Sequence, residues 1–87
     1  MLQVSNENNR INLQDGYDLY PDKYVLLGHT EEYKDKSGVK SGIVLAVGDD
    51  TDRDAVWDLY EDYLFNKKHG GLLVFYYGEI YASGVHI

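Results

Sequence analysis

Hydrophobic and polar positions along the chain follow two different periods. Tyr24–His29 is a run of branched and aromatic residues behind the turn signal Tyr20-Pro21-Asp22, and it predicts a strand. Residues 30–42 read as a polar loop with its turn at Gly38. Val39–Val47 contains a second strand centred on IVLAV, with Ile43, Leu45 and Val47 on one side and Val44 and Ala46 on the other. The period then changes. Val56, Leu59, Tyr60, Tyr63 and Leu64 fall at i, i+3, i+4, i+7 and i+8, which predicts a helix. It starts from a cap at Asp50, Thr51 or Asp52, runs to about Lys67, and stops at Gly70-Gly71. Leu72–Tyr77 carries no charge and predicts a central third strand, and Ile80–Ser83 a short fourth. Upstream, Asn12 caps a short helix over Leu13–Tyr20, with Leu13, Tyr17 and Tyr20 on one face and Gly16 weakening it. Residues 1–11 are polar and Asn-rich, a loose end able to order against the body.

The predicted order α-β-β-α-β-β makes an α+β fold. A small three- to four-stranded sheet packs against one long helix, with a short N-terminal helix besides. Residues 1–11 form the polar segment and 12–87 a single small domain. The first two strands form a hairpin. The helix between the second and third permits a parallel crossover, and an antiparallel placement stays open. One long helix covers one face of the sheet. The other face falls to Leu13 and Tyr17 of the short helix, or to a second copy of the chain. Adjacent strand residues alternate faces, so Tyr76 and Tyr77 cannot both meet the long helix. With Tyr81 they are the expected self-association residues of a homodimer, built on that face or on the edge Ile80–Ser83.

Charge adds a second theme. The net charge is -7, and residues 49–66 alone hold seven acids against one base. A duplex or membrane-surface binder needs a basic footprint, so neither direct nucleic-acid nor membrane binding is expected. A basic protein partner is compatible with the acidity. The 87 residues include no cysteine, which excludes disulfides and cysteine-based zinc. The N-terminus MLQVSNENNR lacks the pattern of a signal peptide, so the cytoplasm is the default location.

The acidic stretch VGDDTDRDAVWDLYEDY invites three readings. Asp50, Asp52, Asp54, Asp58 and Glu61 match the oxygen positions of a calcium loop, but Ala55 stands where the sharp turn needs glycine. Helical periodicity from Val56 to Tyr63 also separates those oxygens, so no metal site is expected. A nucleotide site is rejected because Asp49, Asp50 and Asp52 crowd the place a phosphate would take, without any glycine-rich signature. No cofactor is expected, and the scattered His29, His69 and His86 and the isolated serines suggest no enzyme. Further along, Asp54, Asp58 and Asp62 stand at i, i+4 and i+8 with Glu61 beside them, and no cation lies between 54 and 66. Like charges at that spacing repel. Asp54, Asp58, Glu61 and Asp62 are therefore the candidate interaction face of a non-enzymatic protein-interaction or structural module. The alternative is an acidic nucleic-acid mimic that inhibits a basic nucleic-acid-binding protein.

The series Tyr20, Pro21, Lys23, Tyr24, Val25, then Val44, Ala46, Gly48 and Asp50, resembles small bacterial and archaeal α/β domains of the DUF5678 type. The resemblance spans about residues 17–77. It implies a compact α/β fold and supplies no catalytic residues.

Overall fold

The computed structural model describes residues 1–78. Their strands form one antiparallel sheet. Strands β3 (Tyr24–Glu32) and β4 (Val39–Gly48) make the long central hairpin. Two short strands, β1 (Gln3–Val4) and β2 (Arg10–Asn12), lie end to end along the outer edge of β4. Strand β5 (Leu73–Tyr76) pairs with β3 on the other side, in the register Tyr24 to Tyr76 through Leu27 to Leu73. Helix α1 (Gly16–Leu19) follows a 3-10 turn over Leu13–Asp15, and helix α2 (Arg53–Asn66) connects β4 to β5. The strand order is β1-β4-β3-β5, with β2 also on β4. Since β4 and β5 both run antiparallel to β3, they are parallel to each other but not neighbours. Helix α2 crosses over the intervening strand. No helix of the described residues is long and apolar enough to cross a membrane.

The polar N-terminal segment is ordered by its backbone. Between β1 and β2 the Ser5 N–H donates to the Leu45 carbonyl at 2.8 Å, and the Val44 N–H donates to the Asn9 carbonyl at 2.9 Å. Such bonds ask little of the side chains, which explains how an Asn-rich run covers an edge. Asn12 has the extended backbone of a helix cap, yet it makes no capping hydrogen bond through its side chain. The expected helix over Leu13–Tyr20 is reduced to the 3-10 turn and the single α turn.

Alternation along β4 is broken. Leu26 pairs with Ala46 and Leu27 with Val44, so Leu45 is an extra residue, a β-bulge. Val44 and Val47 consequently share a face, while Ile43, Leu45 and Ala46 share the other. This corrects the strict alternation expected from IVLAV.

Each face of the sheet has its own core. Under α2, Leu26, Leu45, Ala46 and Val56 are buried, with Leu59, Tyr60, Tyr63 and Val74 packed around them. On the opposite face Val25, Leu27, Val44 and Tyr77 are buried beneath Ile11, Leu13 and Tyr20. Strand β5 is uncharged and contributes to both cores, Leu73 and Phe75 on one face and Val74 on the other. Among the described residues its one sheet neighbour is β3.

Tyr77, expected to take part in self-association, is interior. Its hydroxyl donates to the Leu13 carbonyl at 2.8 Å, and its ring meets Tyr17 edge-on at 5.0 Å. Burial pushes its phenol up to about 12. Gly16 lies directly against that ring, and a Cβ there would fall inside it. The glycine read as a weakness of the short helix is what lets the helix seat on Tyr77. The second face is thus covered by the chain's own residues 11–20 rather than left open. Tyr76 is half-buried and packs on Tyr24 at 4.5 Å between ring centres. Tyr81 and the strand expected over Ile80–Ser83 lie outside the described residues.

Candidate interaction surface

Local chemistry at the end of β4 fixes where α2 starts. Gly48 leaves room for the helix to close in, since a Cβ there would stand 2.8 Å from Asp52 Cβ and 3.0 Å from Val56 Cγ2. The capping residue is Asp49, one position before the three expected. A 3-10 turn over Asp50–Asp52 leads into the helix. The Asp52 carboxylate accepts from the Asp49 N–H at 2.8 Å, and the Asp52 N–H donates to the Asp49 carbonyl at 2.9 Å. The Asp49 carboxylate in turn accepts from Lys23 and from the N-terminal amine, the latter at 2.9 Å. Lys23 first, and the amine second, hold the Asp49 carboxyl down at about 2. Asp52 is lowered too, chiefly by the Asp49 N–H.

The lowered Asp49 value has a pH consequence. The group titrates near 3.8 when unperturbed and at about 2 in the fold, so the unfolded chain binds its proton first. Its stabilising contribution is complete above the unfolded value and is lost as pH falls from about 4 toward 2. Asp49→Asn is expected to melt at lower urea than the wild type at pH 7. The gap between the two should close over that acid window. Parallel curves down to pH 2 would mean that the Lys23 contact contributes nothing.

Two of the seven acids are therefore structural. Asp54, Asp58, Glu61 and Asp62 are different: all four are exposed on α2, and none joins an ion pair among the described residues. At 100° per residue they occupy an arc of about 100° on the side away from the sheet. The five oxygen positions of the calcium reading do not converge. Asp50 and Asp52 lie in the 3-10 turn, and Asp54 and Glu61 are about 10 Å apart along the helix axis. No group of three or more candidate metal ligands comes together among the described residues.

Two features escaped the sequence pattern. Leu64, placed on the core stripe, is 52% exposed. Eight residues of helix turn it about 80° from Val56, which carries it off the buried stripe. Trp57 and Phe65 are also exposed, at 42% and 85%. Second, His29 and His69 come together. His29 has a left-handed backbone (φ 47°), its N–H donates to the His69 carbonyl, and the two rings are 6.2 Å apart. Tyr63 covers His69 at 4.2 Å. The pair sits where β3 departs from regular register between Gly28 and Glu31, a break that nothing in its local residue pattern announces. His86 lies outside the described residues.

No family model matches the chain, and no curated protein or solved structure is significantly similar to it.

Proposed function

We propose that the protein is a non-enzymatic interaction module that offers the outer face of α2 to a basic surface on a protein partner. The observation that supports this is the row Asp54, Asp58, Glu61 and Asp62, exposed and without a cation partner among the described residues. Each like-charge pair at i, i+4 costs a few tenths of a kcal/mol. A helix face kept only for solubility would usually mix both signs, as the β3–β4 loop does with Lys34, Asp35 and Lys36. The remaining acids, Asp49 and Asp52, are already engaged in starting the helix and leave this row as the free negative charge of α2, apart from Asp50 ahead of it.

The test is recovery of partners from native lysate at low and high salt. The expected result is a basic protein partner whose recovery falls as screening rises, without vanishing at moderate salt. If only nucleic-acid-binding proteins are recovered, and only at low salt, the face acts instead as a mimic of nucleic acid. Recovery of no basic protein under either condition would overturn the proposal.

A further inference from the structure

Helix α2 carries more apolar side chains than the sheet accepts. Val56, Leu59, Tyr60 and Tyr63 pack on the core, whereas Trp57, Leu64 and Phe65 remain exposed. Trp57 and Leu64 are seven residues apart, which places them within about 20° of each other on successive turns. Tyr60 supports the tryptophan from the core side, edge-on at 5.2 Å. The result is an apolar lane about 10 Å long. Beside it, on the side away from the sheet, runs the acidic lane of Asp54, Glu61 and Asp58. Phe65 closes that lane at the C-terminal end.

We infer that these two lanes form a docking surface for a basic amphipathic helix, with aliphatic residues over Trp57 and Leu64 and lysines or arginines over Asp54, Asp58 and Glu61. The inference rests on the interaction reading above and names the partner's chemistry. Charge complementarity selects the occupant. A second copy would bring two acidic lanes together, and an anionic lipid surface or a nucleic acid has the wrong sign. A purely apolar segment would cover the carboxylates without pairing them, which is costly. A basic helix with apolar residues at i, i+3, i+4 and i+7 satisfies both lanes at once.

Trp57 is the single tryptophan of the chain, so its emission reports on the apolar lane alone. The probes are two peptides of equal charge, one of lysine and leucine in that helical pattern, the other with each leucine replaced by glutamine. The lysine–leucine peptide is expected to bind at least about tenfold tighter, as covering one or two aliphatic side chains would give. It should also shift Trp57 emission to the blue. Leu64→Ser should remove most of that advantage while leaving the lysine–glutamine affinity unchanged, which also shows that the variant is folded. Equal affinity for the two peptides, with Trp57 emission unmoved, would overturn the inference while leaving the acidic face as a binding surface. Binding of neither peptide would remove both.

Discussion

Replacing Gly16 by alanine is expected to destabilise the protein by about 2–4 kcal/mol, although helix propensity alone argues for a gain of up to about 1 kcal/mol. The backbone at Gly16 is right-handed helical (φ -61°, ψ -25°), so alanine meets no conformational obstacle. The obstacle is Tyr77. The added methyl would occupy the space of the ring's far end, and the ring has nowhere to go. It is 2% exposed, packed against Tyr17 and Phe75, and held by its hydroxyl to the Leu13 carbonyl. Overpacking of this kind costs about 1–3 kcal/mol, and breaking the buried hydroxyl's bond adds about 1–3 kcal/mol. For 87 residues the whole stability is roughly 4–13 kcal/mol, so the change is a large part of it. Urea unfolding measures it. In a Tyr77→Leu background the same alanine should cost little, a coupling of at least about 1 kcal/mol. A stabilised Gly16→Ala protein would mean that α1 does not seat on Tyr77.

Deleting residues 1–18 is expected to abolish cooperative unfolding. The deletion removes β1, β2, the 3-10 turn with Leu13 and most of α1 with Gly16. It unpairs the outer edge of β4 and uncovers Val25, Leu27, Val44 and Tyr77 together. At about 1.5–3 kcal/mol for each fully buried side chain, exposing four approaches the whole stability of a chain this size. The truncated protein should bind a hydrophobic dye and show no sharp urea transition. A cooperative melt within about 1 kcal/mol of the full chain would show that the second face does not depend on this segment.

Periodicity was enough to place the hairpin, the long helix and the uncharged last described strand, because each buries side chains at its own repeat. It did not reveal the strands at Gln3–Val4 and Arg10–Asn12, whose contribution is largely main-chain hydrogen bonding along an edge. Nor did it show which strand pairs with Leu73–Tyr76, since pairing partners are settled by how α2 crosses the sheet. The bulge at Leu45 reversed the expected facing of Ala46 and Val47 without any glycine or proline to mark it. In the acidic stretch, identical letters have different roles. Asp49 and Asp52 hold the helix start, while Asp54, Asp58, Glu61 and Asp62 face outward. Spacing alone identified the outward row, but Lys23, the partner that engages Asp49, comes from 26 residues away.

The central claim is that the outer face of α2 is a binding surface, and charge reversal on that face tests it most directly. Asp58→Lys with Glu61→Lys changes the net charge by +4 and should leave the fold at least as stable at low salt, because it relieves like-charge neighbours. Glu32→Lys with Asp35→Lys makes the same change on the β3–β4 hairpin. Both pairs are exposed. Each double variant is compared with the wild type for recovery of partners from native lysate. Loss of the partner with the α2 variant, and its retention with the hairpin variant, is the expected result. Equal recovery by both variants would contradict the claim.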